Sequence, residues 1–157
     1  MATYELILGK EHPEVATCLI NLGLIAMAEG KLGNAEKRFN EANNIRQSSY
    51  EPMHILVGNS LSHLGNAYFE QKRYDQASEK FKIALAILEK HHDLDNNDLQ
   101  IVVSKLIFSL EQTNKFDDLE QLYPRLINST EIKLGPAHPE VVKYLEKLAK
   151  LQSQTKK

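Results

Sequence analysis

The sequence predicts an all-α solenoid of antiparallel helix pairs, and three observations support this prediction. The phrase LGKEHPEV at 8–15 returns as LGPAHPEV at 134–141, with six of eight letters unchanged. The interval between the two phrases is three times 42 residues, and further copies of the surrounding pattern occur at that spacing. Within each copy, apolar residues recur three, four and seven positions apart, which is the spacing of one helix face.

The first helix of each repeat contains a leucine that a small residue usually follows. The four copies of this pair are Leu22-Gly23, Leu64-Gly65, Leu106-Ile107 and Leu148-Ala149. We expect Pro13 and Pro139 at the first position of their helices, where the missing N–H loses no hydrogen bond. The first helices are predicted near 14–29, 52–71, 97–112 and 139–154.

The second helix of each repeat contains an aromatic residue between two small ones. The sets are Ala35, Phe39 and Ala42, then Ala77, Phe81 and Ala84, then Leu119, Tyr123 and Leu126. Small residues mark the points where two helices touch, because a bulky side chain there would separate the backbones. The second helices are predicted near 32–48, 74–91 and 115–132.

These elements make a single domain over 1–157, with three full repeats. Residues 1–8 are interpreted as the end of a truncated repeat, and 139–154 as a C-terminal cap helix with a polar outer face. The repeats themselves cover 14–48, 52–91 and 97–132.

The third repeat departs from the pattern at three close-contact positions. Ile107, Leu119 and Leu126 are larger than their counterparts, and Pro124 falls inside the second helix. A proline there removes a hydrogen bond and disfavours the helix by about 3 kcal/mol. We therefore predict a kink and a looser or re-angled helix pair. Either the repeat has drifted, or it changes the curvature or forms a partner surface.

The segments LINLGLIAMAEGKLGNAEKRFNEA and LSHLGNAYFEQKRYDQASEKFKIA resemble the tetratricopeptide repeat, and the resemblance covers nearly the whole chain. A 42-residue period with an LG-x2-HP-x-V linker is similar to the kinesin light chain subfamily and its bacterial relatives. This resemblance implies a right-handed superhelix whose first helices line a concave groove that binds peptides.

The resemblance also implies which side chains face the groove. The residues predicted to bind a peptide are Asn21, Leu24, Asn59, His63, Asn66, Lys105, Phe108, Lys143 and Lys147. The amides suit an extended peptide backbone, and the lysines suit carboxylates. The carboxylate clamp of heat-shock cochaperones is a second relative, which this chain matches at Asn66, Lys143 and Lys147 but not at the two remaining positions, Ser62 and Lys105.

Composition excludes several classes of protein. The formal net charge is −2, which gives no overall attraction to nucleic acid or to an anionic membrane. No apolar run reaches the length of a membrane span, and the N-terminal residues lack the features of a signal peptide. The single cysteine, Cys18, fits a reducing cytoplasm.

No motif in the sequence predicts catalysis, a metal or a cofactor. DLDNND at 93–98 lacks the glycine and the glutamate of a calcium loop, with Asp98 and Ser104 at those positions. The adjacent His91 and His92 point in different directions on a helix. We interpret Cys18 as a packed thiol, and GKLGNAEK has neither the spacing nor the context of a phosphate-binding loop.

The leading hypothesis is therefore a non-catalytic module that binds an extended acidic or carboxylate-bearing peptide. A second hypothesis is an assembly element of a longer array that self-associates through its ends and the third repeat. A third is a regulatory domain whose enzyme partner lies elsewhere in a longer protein.

Overall fold

The computed structural model describes residues 9–91 and 97–155. The predicted partial helix at 1–8, His92, and 93–96 of the DLDNND segment lie outside the described residues. Within these ranges the chain forms seven helices and no strand. The helices are α1 (Pro13–Ala28), α2 (Leu32–Ser49), α3 (Ile55–Glu70), α4 (Tyr74–Leu88), α5 (Asn97–Gln112), α6 (Phe116–Leu134) and α7 (Pro139–Thr155).

Histidine precedes three of the four first helices and caps them. The Nδ1 atoms of His12, His54 and His138 accept hydrogen bonds from the backbone N–H two residues later, at 3.2, 3.2 and 3.3 Å. Each bond satisfies one of the N–H groups that a helix start leaves without a partner. Helix α3 therefore begins at Ile55, and not near 52 as predicted, because Pro52 lies in the turn before the cap.

The turns inside the three repeats share one backbone conformation. Gly30, Lys72 and Asn114, each 42 residues from the next, have φ values of 73°, 59° and 53°. Glycine adopts this left-handed conformation readily, and asparagine adopts it more readily than most residues. Lys72 adopts it under strain, so the repeat geometry overrides the local preference there.

The two helices of the first and second repeats meet at a glycine opposite a phenylalanine. A Cβ atom added to Gly23 would lie 2.4 Å from the Phe39 ring, and one added to Gly65 would lie 2.8 Å from the Phe81 ring. In the third repeat Ile107 and Tyr123 occupy these two positions, and α5 and α6 approach each other much less closely. The predicted loosening of this pair is thus present, and α6 continues through Pro124 to Leu134.

The core is continuous along the chain, because each helix packs on the helices before and after it. The first helices α1, α3 and α5 also contact one another directly, so they form one face of the molecule. Ion pairs join successive repeats across the surface; examples are Glu36 to Arg73 at 2.7 Å and Asp75 to Lys115 at 2.9 Å. This arrangement is a helical-repeat solenoid.

The outer face of α7 differs from the polar surface that we predicted for a cap helix. Val142 and Leu145 are 44% and 47% exposed there. Leu145 occupies the repeat position of Leu19 and Leu61, which are both buried. It is exposed because no described helix covers α7 as α2 covers α1 and as α4 covers α3.

Candidate functional site

The face formed by the first helices contains a polar pocket of about 210 Å³ between α3 and α5. Helix α3 contributes four of its side chains, α4 contributes Leu88, and α5 contributes Asp98 and Ile101. The four from α3 are Asn59, Ser62, His63 and Asn66, which follow one another at helical spacing. The structure thus brings together three of the residues predicted to bind a peptide.

His63 is held in this pocket as a neutral, oriented ring. It stacks on Phe39 with the ring centroids 5.4 Å apart and the planes 20° apart. Burial lowers the pKa of His63, Arg46 lowers it further, and Asp98 acts in the opposite direction. A neutral imidazole offers one hydrogen-bond donor and one acceptor.

Asn66 has an unsatisfied acceptor in the same pocket. Its Oδ1 atom is buried and has no hydrogen-bond partner among the described residues. Leaving a buried acceptor without a partner disfavours the folded state by about 1–3 kcal/mol. An N–H group of a bound molecule would supply the missing bond.

An aromatic cluster lies next along this face, where the second repeat meets the third. The rings of Phe69, Tyr74 and Phe108 pack against one another with centroids 5.4 to 5.6 Å apart. The Lys105 ammonium lies 4.8 Å from the Phe69 centroid and 3.3 Å from the Glu70 carboxylate. Phe108 is 41% exposed, so the cluster presents an apolar surface to solvent.

The C-terminal end of the face carries the basic groups. Lys147 forms an ion pair with Glu111 at 2.8 Å, beside a pocket of about 240 Å³ that Lys150 also lines. Lys143 is exposed. Lys143 and Lys150 make no ion pair within the part of the chain that the structure describes.

Two predicted residues lie apart from these groups. Asn21 and Leu24 are exposed on α1 and line neither of the two pockets on this face. Whether they or any of the other predicted residues bind a peptide stays a prediction.

Sequence reasoning missed four residues that set the chemistry of this face. Glu70 and Glu111 neutralise the two predicted lysines, Tyr74 completes the aromatic cluster, and Asp98 lines the polar pocket. A signal for the carboxylates was present, since each precedes its lysine by slightly less than one repeat. Tyr74 gave no such signal, because it begins a second helix and reaches the face from the side.

Two further kinds of site were sought in the described residues. Within 9–91 and 97–155, no three histidine, cysteine or acidic side chains lie close enough together to hold a metal ion. No helix in those ranges combines the length and the apolar character that a membrane crossing requires.

Comparison with known proteins gives a consistent result for sequence. The family described as tetratricopeptide repeat matches residues 20–90. The Arabidopsis thaliana protein KINESIN LIGHT CHAIN-RELATED 2 is 27% identical over 130 residues, which is 83% of this chain. The match covers 20% of that relative, so the chain spans about a fifth of its length.

Solved structures show the same fold. The crystal structure of kinesin light chain nearly identical TPR-like repeats from Podosopora anserina superposes with a TM-score of 0.79 at 18% identity, covering 99% of this chain and 74% of that one. BtubC (BKLC) from P. vanneervenii superposes with a TM-score of 0.61 at 21% identity, covering 91% and 56%. At these identities the likeness concerns the architecture alone.

Proposed function

We propose that this chain, a tetratricopeptide-repeat protein similar to the kinesin light chains, is a non-catalytic module that binds an extended acidic or carboxylate-bearing peptide on the face of its first helices. Tetratricopeptide repeats generally mediate protein–protein interaction. The proposal concerns the nature of the ligand and the face that binds it. The single cysteine suits a cytoplasmic setting for this activity.

The unsatisfied Asn66 acceptor is the observation that carries the proposal. A peptide backbone presents N–H donors at regular intervals, and one donor would relieve the buried Oδ1 atom. Asn59 and neutral His63 lie in the same pocket and offer further donors and acceptors. These groups bind main chain, so they set affinity more than sequence preference.

The basic end of the face supports the acidic character of the ligand. Lys143 and Lys150 are exposed, while Lys105 and Lys147 are paired with Glu70 and Glu111. Exposed ion pairs are worth only about 0–1 kcal/mol, so a peptide carboxylate can replace either glutamate at little expense. We expect modest affinity, because ordering a free peptide opposes binding.

A peptide-library pull-down tests this assignment. Lys105→Glu, Lys143→Glu and Lys147→Glu, combined in one variant, should lose the acidic peptides that the wild type retains. The matched control combines Lys37→Glu, Lys80→Glu and Lys90→Glu, which alter the charge equally at second helices or their ends. Equal retention by all three proteins would contradict the basic groove. Circular dichroism should first show that the three are equally helical.

Assembly is a second candidate function, favoured by the exposed apolar residues at both ends of the solenoid. Leu22 and Ile25 are 38% and 56% exposed on α1, and Val142 and Leu145 are exposed on α7. An array that self-associates through these ends would show a mass that rises with concentration in light scattering. A constant monomer mass would contradict it.

A further inference from the structure

The exposed apolar face of α7 is the fourth member of a series. The corresponding face of α1 is Ala16, Leu19 and Gly23, which α2 buries, and that of α3 is Gly58, Leu61 and Gly65, which α4 buries. On α7 the same repeat positions are Val142, Leu145 and Ala149, and all three are exposed. We call these three residues the open face of α7.

The open face keeps the feature that admits an aromatic ring. Phe39 and Phe81 reach into contact with Gly23 and Gly65 because those positions carry no bulky side chain. Ala149 is the small residue at the same position on α7, whereas Ile107 fills it on α5. The fourth helix is therefore shaped to receive a second helix, although none of the described helices covers it.

A charge beside the open face indicates what the second helix should carry. Glu89 at the end of α4 pairs with Arg125 of α6, two positions after Tyr123. The residue of α6 that corresponds to Glu89 is Glu131, which makes no ion pair with any residue that the structure describes. A helix packed on the open face would place its own residue two positions after the aromatic near Glu131.

We propose that the open face of α7 binds an amphipathic helix of a partner protein. That helix carries an aromatic residue with small residues four positions before and three positions after it, as in α2 and α4, and a basic residue two positions after the aromatic. The continuity of the repeated α1–α2 and α3–α4 interface gives the apolar pattern, and Glu131 gives the charge. This inference is independent of the groove on the first-helix face.

A labelled peptide of residues 73–90 carrying Ile83→Arg is the probe, since it has Ala77, Phe81 and Ala84 in register and a cation two positions after the phenylalanine. We expect fluorescence anisotropy to give a Kd below about 100 µM with the full chain. Leu145→Glu should weaken binding at least about tenfold, which is 1.4 kcal/mol. Ile25→Glu, at the opposite end of the solenoid, is the matched control and should leave it unchanged.

Two further comparisons test the details of the contact. The same peptide with Phe81→Glu should bind at least about tenfold more weakly. The unmodified 73–90 peptide should bind more weakly than the Ile83→Arg peptide to the wild type, and equally well to Glu131→Gln. Equal preference for the arginine peptide in both proteins would overturn the role of Glu131.

Other outcomes would overturn the proposal as a whole. One is no binding by the wild type, and another is equal binding by Leu145→Glu. A wild-type dimer that Leu145→Glu converts to a monomer would also overturn it, because the face would then belong to a second copy of this chain. Loss of groove-peptide binding in the lysine variant leaves this proposal untouched, so the two fail separately.

Discussion

At the scale of single residues, the capping histidines explain why the chain writes LG-x2-HPEV twice. The sequence indicated a structural linker with proline at the first helical position, and Pro13 and Pro139 begin their helices as predicted. The role of the histidine could not be read from the usual preferences, because serine, threonine, aspartate and asparagine are the common caps. Only the geometry shows Nδ1 accepting a backbone hydrogen bond at three repeats.

Replacing one cap gives the first prediction. His138→Ala should lower the free energy of unfolding by about 1 kcal/mol, because the Glu140 N–H loses its acceptor. His138→Asn should retain most of the stability, since an amide oxygen can accept the same bond. Urea denaturation measures both. Equal losses in the two variants would mean that the histidine acts through something other than the cap.

His63 predicts how stability depends on pH. Its pKa in the folded chain lies below the unfolded value of about 6.5, so the unfolded chain binds the proton more readily. The His63 contribution to stability is complete above pH 6.5 and is lost as the pH falls from there toward the folded pKa. Arg46 and Asp98 are the charged groups that act on it.

The variant His63→Gln isolates this contribution. Between about pH 7.5 and about pH 5.5 the free energy of unfolding of the wild type should fall more than that of the variant. Denaturation at the two pH values measures the difference. Parallel falls in the two proteins would show that other groups carry the pH dependence.

At the scale of helices, the small-to-aromatic contact decides how closely a pair approaches. The spacing of Gly23, Gly65 and Ile107 predicted two close pairs and one loose pair, and the structure has that arrangement. The ends of the helices were predicted less well. Helix α4 ends at Leu88 and not near 91, and α6 continues to Leu134, because caps and turns set these boundaries and the apolar periodicity does not.

Overpacking one close pair tests this account of the contact. Gly65→Val should lower the free energy of unfolding by several kcal/mol, with roughly 1–3 from overpacking alone, because the Phe81 ring would lie 2.8 Å from the new Cβ. Ile107→Val changes the corresponding position of the loose pair and should have a milder effect, about 0.5–1.5 kcal/mol. Thermal unfolding followed by circular dichroism compares them. Similar losses would contradict a special role for the glycine.

At the scale of the whole molecule, the repeat fixes which residues share a face, while the contacts between repeats decide its charge. Sequence reasoning placed Asn59, His63 and Asn66 together, and the structure agrees. It treated Lys105 and Lys147 as available cations, yet both are paired with glutamates. Such partners lie on different helices, so helical periodicity within one helix could not identify them.

The central claim is that an acidic peptide binds to the first-helix face through Asn66 and the lysines. The most direct test is the Kd of the best retained acidic peptide for the wild type, for Asn66→Ala and for the variant combining Lys105→Glu, Lys143→Glu and Lys147→Glu. Each should be measured at about 0.1 M and about 1 M salt, where the screening length falls from about 10 Å to about 3 Å.

We expect both variants to bind at least about tenfold more weakly than the wild type at the lower salt concentration. The wild type should weaken steeply as salt rises, and the lysine variant should show little dependence on salt. A Kd that neither substitution nor salt changes would place the peptide elsewhere and contradict the proposed function.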